Sequence, residues 1–223
     1  MNKYLTLCAL ISVVCSCSNT PELETGEIKT LQMLKDAFSQ SKNSNVFIDA
    51  KNLLSREQID AASIPVLFVE LESGQNGTLT PYPGQGDGEI WLGADGATIT
   101  LDQGILKASR GMGVDVMGAS SSMAPWVKLK NDRITYIREV KYITGNNKTV
   151  THSLKCKIKK NDQQEMLKIW DVEFRVIKYD EDCDHNGTAI KNTYYLDDKE
   201  IVRRSFQYHS KALGYIVTER LDR

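Results

Sequence analysis

From about residue 133 to the end of the chain, apolar and polar side chains alternate. Ile169, Val172 and Phe174 stand against Lys168, Glu173 and Arg175. A period of two puts successive side chains on opposite faces of a strand. One apolar and one charged face fits an antiparallel sheet solvated on one side, because parallel strands covered on both faces read as continuous apolar runs. The alternation predicts strands over residues 133–144, 148–160, 165–179, 188–198, 200–210 and 214–221. Their separators are turn chemistry: residues 144–147, Lys160-Asn161-Asp162, the run Asp182 to Gly187, Asp197-Asp198, and Lys211 to Gly214.

Upstream the strands are shorter. Ile64 to Leu71 is a β-rich run, and Glu89 to Ala94 leads into Asp95-Gly96, a strong hairpin signal. Ala97 to Leu101 alternates, and Gln103-Gly104 turns the chain into Ile105 to Ser109. Helical spacing occurs only before this region. Ile28, Leu31, Leu34 and Phe38 share one face, and Ser55-Arg56-Glu57-Gln58 fits a capping box for a short helix that must stop before Pro65. The expected fold is all-β: a large antiparallel meander curled into a half-barrel or sandwich, with one or two short N-terminal helices. Curling leaves few edges bare.

The first residues follow another logic. Lys3 precedes an apolar run from Leu5 to Val14, of signal-peptide length and too short to span a bilayer. It ends in Val14-Cys15-Ser16-Cys17, which resembles a bacterial lipobox with Cys17 as the acylated residue; Cys15 fits worse because Val14 would sit before it. The expected organisation is a signal peptide over 1–16, a lipidated tether over 17–26 and a single β-rich domain over 27–223. Lipid attachment at Cys17 would add several acyl chains, and at about 0.8 kcal/mol per buried CH₂ these hold a protein on a membrane durably. Ser18 after the cysteine points to the outer membrane, with the body facing the periplasm.

Charge excludes one class of partner. The chain has 28 basic and 29 acidic residues, and a near-neutral body carries no electrostatic footprint for nucleic acid. Of the five cysteines, Cys8 and Cys15 leave with the signal and Cys17 is acylated. Cys156 and Cys183 remain, in a compartment that permits disulfides. Their spacing leaves a bridge and two separate thiols equally open.

Catalytic and cofactor motifs are not evident. The glycines of residues 84–88 and 111–118 lack dinucleotide-binding spacing and a following helix, so they read as turns, with Arg110 and Asp115 able to pair across the second loop. Ser120 to Ser122 has no nucleophile-elbow context. His152, His185 and His209 lie on or beside strands without a second ligand at metal spacing. Trp91, Trp126 and Trp170 suggest either a sugar-stacking surface or, for Trp170 in mid-strand, core. Asp182, Asp184, Asn186 and Gly187 stand in calcium-loop register, but the twelfth position is Thr193 and the flanks are strands, so a hairpin is the better reading and no metal is expected.

The segment Trp91-x-x-Ala94-Asp95-Gly96-Ala97-Thr98-Ile99-Thr100-Leu101-x-x-Gly104-Ile105-Leu106, and the run Arg110-Gly111-x-Gly113-x-Asp115-x-Met117 after it, resemble the YjbF family of group 4 capsule polysaccharide and exopolysaccharide lipoproteins. The lipobox, the early helix, Asn192 to Asp197 and the closing strand from Tyr215 to Leu221 fit as well. The resemblance implies an all-β body on a lipid anchor. It also implies work beside other polysaccharide-secretion components, including an outer-membrane β-barrel, with polysaccharide itself a further partner. It brings no catalytic residues and no cofactor. The expected function is therefore non-enzymatic assistance to capsule or exopolysaccharide secretion. The alternative is a periplasmic lipid or lipoprotein carrier with an apolar cavity in its curled sheet. A glycan-processing enzyme would need two carboxylates facing across a cleft.

Overall fold

The computed structural model describes residues 49–52, 54–62, 64–84, 88–121, 133–143 and 148–223. The expected signal peptide, Cys17, the tether, the amphipathic helix over residues 28–38 and Trp126 lie outside the described residues. A 3₁₀ turn, Ala50–Asn52, precedes one helix, α1 (Arg56–Ala61). Ser55 caps α1: its hydroxyl accepts from Gln58 N–H, and the Gln58 side chain accepts from Ser55 N–H at 2.8 Å. Among the described residues no helix is long and apolar enough to cross a membrane.

Twelve antiparallel strands follow: β1 (Leu67–Leu71), β2 (Asn76–Tyr82), β3 (Glu89–Gly93), β4 (Thr98–Asp102), β5 (Ile105–Arg110), β6 (Val116–Ser121), β7 (Arg133–Ile143), β8 (Thr149–Ile169), β9 (Val172–His185), β10 (Thr188–Asp197), β11 (Val202–Ser210) and β12 (Gly214–Arg220). Their spatial order is β5-β4-β3-β2-β1-β12-β11-β10-β9-β8-β7-β6. Strand β1 thus pairs with β12, and the two terminal strands, β5 and β6, are consecutive in sequence. The curl goes further than a half-barrel, giving among the described residues a nearly closed barrel that breaks at the β5–β6 seam. Side chains stitch that seam in place of a backbone ladder. Arg110 donates to Val116 O at 2.9 Å and Met117 O at 3.2 Å, and Val116 N–H donates to Ser109 Oγ at 2.9 Å.

Two sequence-based boundaries are corrected. Lys160-Asn161-Asp162 is not a turn: β8 runs through it, and its register against β9 shifts from Lys160↔Tyr179 to Gln164↔Ile177. Four steps on β8 match two on β9, so the polar triplet is a bulge. The turn lies instead at Trp170-Asp171, where both residues have positive φ (44° and 66°) and Ile169 pairs with Val172. That is the backbone of a two-residue primed hairpin, built here without its usual Asn or Gly. Asn186-Gly187 makes the same turn with ordinary chemistry, at φ 52° and 84°.

Leu67 and Val69 of β1 face the barrel interior with Leu79, Trp91, Ile99, Leu154 and Ile216. Phe68, one step out of phase, joins a second core with Ile59 of α1, Val66, Leu167, Ile169 and Val176. The far end of the β8–β9 hairpin and α1 are thereby packed onto the opposite face of β1. Nearer the β9–β10 turn, Lys155, Lys157 and Lys159 of β8 stand directly opposite Asp184, Asp182 and Asp180 of β9. A one-residue slip would break all three opposite-charge pairs and turn the interior side chains outward. On the interior face of the same strands, a disulfide joins the register partners Cys156 and Cys183.

Candidate functional site

The interior of this barrel is unusually polar, and the reason is the edge of β5. Gln207 on β11 donates through Nε2 to Gly104 O at 2.9 Å and accepts from Leu106 N–H at 2.8 Å. Arg138 on β7 donates to Leu106 O at 2.9 Å. These side chains do for β5 what a neighbouring strand would do, since buried backbone groups must find partners. Burying Arg138 then requires a counter-charge, and Glu181 on β9 supplies it at 3.5 Å. The remaining capacity of the Glu181 carboxylate is filled by Asn192 Nδ2 at 2.6 Å, Tyr194 OH at 2.9 Å and Tyr136 OH. Burial and the nearby Glu181 push the Tyr136 and Tyr194 phenols well above their ordinary range.

Beside this network His209 is fully buried, its Nε2 2.9 Å from Ser109 Oγ. Burial pushes its pKa down to about 4, so at neutral pH it is uncharged. His152 lines the same small cavity as His209, and Tyr142 lies against both, its ring 5.2 Å from that of His152 and its hydroxyl donating to His209 O at 2.6 Å. His152 and His185 stack on each other with ring centroids 4.4 Å apart, and burial together with His185 lowers the His152 pKa.

A concavity lies around the start of β3 and the end of β12. Two hollows, of about 510 and 340 Å³, share Glu89, Trp91 and Arg220 as a common wall. The first is lined by Ile64, Pro65, Tyr82 and Pro83; the second by Leu67, Leu101, Gln103, Lys199 and Thr218. Arg220 donates to both Glu89 oxygens at 3.2 and 3.1 Å and through Nε to Asp222 at 3.0 Å. Burial alone would lower its pKa; Asp222 and Glu89 outweigh that and hold it above its ordinary value. Its guanidinium lies 5.4 Å from the centre of the Trp91 ring. Trp91 is therefore 1 % exposed and is no open stacking platform, whereas Tyr82 is 52 % exposed. An apolar wall, a half-exposed aromatic ring and a fixed carboxylate–guanidinium pair therefore line this concavity.

The other sequence candidates distribute differently. Trp170 sits at the β8–β9 turn and meets Phe68 edge-on at 5.9 Å. Arg110 and Asp115 bind backbone rather than each other, Asp115 accepting from Gly111 N–H at 2.9 Å and Met112 N–H at 3.0 Å. Asp182 and Asp184 face lysines across the strand, and the Asp184 carboxylate accepts from Gly187 N–H at 3.3 Å, which ties them to the hairpin. One Glu181 oxygen and the two cysteine sulfurs lie within 4.8 Å of one another, but the sulfurs are bonded together and offer no thiolate. Sequence reasoning missed Arg138, Glu181, Gln207 and Arg220.

Residues 32–221 match the family model described as group 4 capsule polysaccharide lipoprotein gfcB, YjbF. The fold is similar to the crystal structure of the hypothetical lipoprotein YmcC from Escherichia coli (K12). The TM-score is 0.69 at 17% identity, covering 85% of this chain and 96% of that one. At that identity the likeness is one of fold. A comparison of the sequence with curated proteins finds no match.

Proposed function

Because the chain belongs to the YjbF family of group 4 capsule polysaccharide lipoproteins, we propose that it is a non-enzymatic, lipid-anchored accessory of capsule or exopolysaccharide secretion. It is held at the outer membrane through Cys17, faces the periplasm, and acts by binding glycan or a secretion partner at the Tyr82–Glu89–Arg220 cleft. The family match over most of the chain carries this reading. The cleft supports binding rather than acid–base work: Glu89 and Asp222 both accept hydrogen bonds from Arg220, which fixes their geometry. An exposed tyrosine can take the C–H face of a sugar while the carboxylate–guanidinium pair exchanges hydrogen bonds with its hydroxyls.

Near the Glu181 network the interior speaks against the carrier alternative. The cavity beside Arg138 and His209 is about 30 Å³, whereas sites for small organic ligands span roughly 300–1,000 Å³. An acyl chain would have to displace the Glu181 network to enter.

The test is genetic and biochemical. Deleting the gene should lower surface or secreted polysaccharide, and the wild-type gene should restore it. Cys17→Ser and the pair Tyr82→Ala with Glu89→Gln should each restore less. Unchanged polysaccharide in the deletion strain would end the proposal. Pull-down from outer membranes would separate a glycan contact from a protein one, since only the latter retains a β-barrel partner after the glycan is removed.

A further inference from the structure

Two buried nitrogens, Arg138 Nε and His209 Nδ1, have no hydrogen-bond partner among the described residues. Both residues line the same interior cavity of about 30 Å³, whose other polar lining residues are Tyr142, His152, Asn192 and Tyr208. Buried polar atoms without partners cost about 1–3 kcal/mol each, so two at one cavity point to a ligand. A water needs roughly 10–15 Å³ on this scale, so the cavity holds one or two small groups and nothing larger.

The chemistry facing that space can be worked out atom by atom. Arg138 Nε–H is always a donor; its Nη groups are already given to Glu181 and to Leu106 O. For His209, the partner of Nε2 decides the tautomer. Ser109 Oγ accepts from Val116 N–H, and its own proton has two destinations: His209 Nε2 at 2.9 Å or Asp115 Oδ1 at 3.3 Å. Asp115 already accepts two backbone N–H groups. Donation to Nε2, the shorter contact, leaves neutral His209 with its hydrogen on Nδ1, whereas donation to Asp115 leaves Nδ1 bare. The amide of Asn192 is spent at both ends, donating to Glu181 and accepting from Tyr208 N–H at 2.8 Å. Tyr142 gives its proton to His209 O at 2.6 Å. With the first of these Ser109 arrangements, two unspent donors belong to residues that line a space of water size.

We infer that this cavity is a binding site for one single-atom hydrogen-bond acceptor, a water oxygen or a halide ion, held jointly by Arg138 Nε–H and His209 Nδ1–H. It would tie β7 to β11 next to Ser109 and Val116, where the β5–β6 seam has only side-chain bonds.

Crystals of the protein soaked in sodium bromide decide the matter. The expected result is a density peak within hydrogen-bond distance of both nitrogens. Anomalous signal at that peak identifies a halide; an ordinary peak that carries none identifies water. No peak bonded to both nitrogens, or either nitrogen engaged by a protein group, overturns the site. Nitrogen-15 NMR of His209 checks the tautomer independently: a protonated Nε2 with bare Nδ1 removes the second donor and also overturns it. His209→Phe should abolish the peak; if that variant does not fold, the two wild-type measurements still stand.

Discussion

Glu181→Gln is the sharpest probe of the barrel interior. The substitution keeps shape and removes charge at a residue that is 0 % exposed. Four donors converge on the native carboxylate: Arg138, Asn192, Tyr136 and Tyr194. An amide offers one acceptor oxygen in place of two, and its NH₂ can be accepted by the Tyr136 or Tyr194 hydroxyl but not by Arg138 or the Asn192 amide nitrogen. More costly, Arg138 keeps its charge with a side chain only 6 % exposed and no counter-ion. Removing one partner of a buried pair costs about 3–5 kcal/mol, a large part of the roughly 5–15 kcal/mol that stabilises a typical domain. For a protein of this size that is a fall in Tm of roughly 6–20 °C. Added to Glu181→Gln, Arg138→Met relieves the stranded charge but leaves Leu106 O without its donor, a loss of about 1–3 kcal/mol; made alone, it strands the Glu181 carboxylate instead. The double variant should therefore be less destabilised than the sum of the singles, with a coupling of about 2 kcal/mol or more. Urea unfolding of all four proteins, read at constant m-value, measures it. Additivity within about 0.5 kcal/mol, or a Glu181→Gln variant as stable as the parent, would refute the idea that this pair exists to hold a buried guanidinium against the β5 edge.

Other outcomes follow from the same geometry. Reducing the Cys156–Cys183 bridge, which spans 27 residues, should lower stability by about 3.5 kcal/mol on the chain-entropy estimate; thermal melts with and without reductant show it, and identical melts would contradict it. The buried neutral His209 has a folded pKa of about 4 against 6.5, so the unfolded chain binds the extra proton first. Its contribution is whole above pH 6.5 and is lost as pH falls through 4, about 3 kcal/mol in all. His152 shifts in the same direction, so the assay compares pH–stability slopes of wild type and His209→Gln between pH 7 and 4.5, expecting the variant's to be flatter. Gly104 has φ +85° and a Cβ there would lie 2.3 Å from Val202, so Gly104→Ala should cost at least about 2 kcal/mol through strain and overpacking; a neutral effect in denaturant titration would mean that the β5 entrance is looser than described.

What could be read in advance followed the physics of each signal. Alternation between residues 133 and 221 marks strands because a half-solvated sheet imposes a period of two, and the Asn186-Gly187 turn was legible because those residues adopt positive φ readily. Trp170-Asp171 was not, because neither residue advertises a turn; the pairing of Ile169 with Val172 holds them there. Lys160-Asn161-Asp162 misled because polar triplets suit bulges as well as turns. The interior site was hidden for a different reason. Glu181 stands in an acidic run that looks like surface, yet it shares strand parity with Tyr179 and Cys183, which are buried with it. Arg138 likewise shares parity with Tyr136 and Val140, and Gln207 with Ser205 and His209. Parity alone therefore points these polar residues inward, but a composition-minded reading sends every charge to water. What reconciles the two is the seam. A sheet whose ends meet without a ladder leaves one edge facing its own core, and Gln207 and Arg138 lie where Gly104 and Leu106 need partners. Inward charge in an alternating strand is then the expected signature of a barrel that closes through side chains.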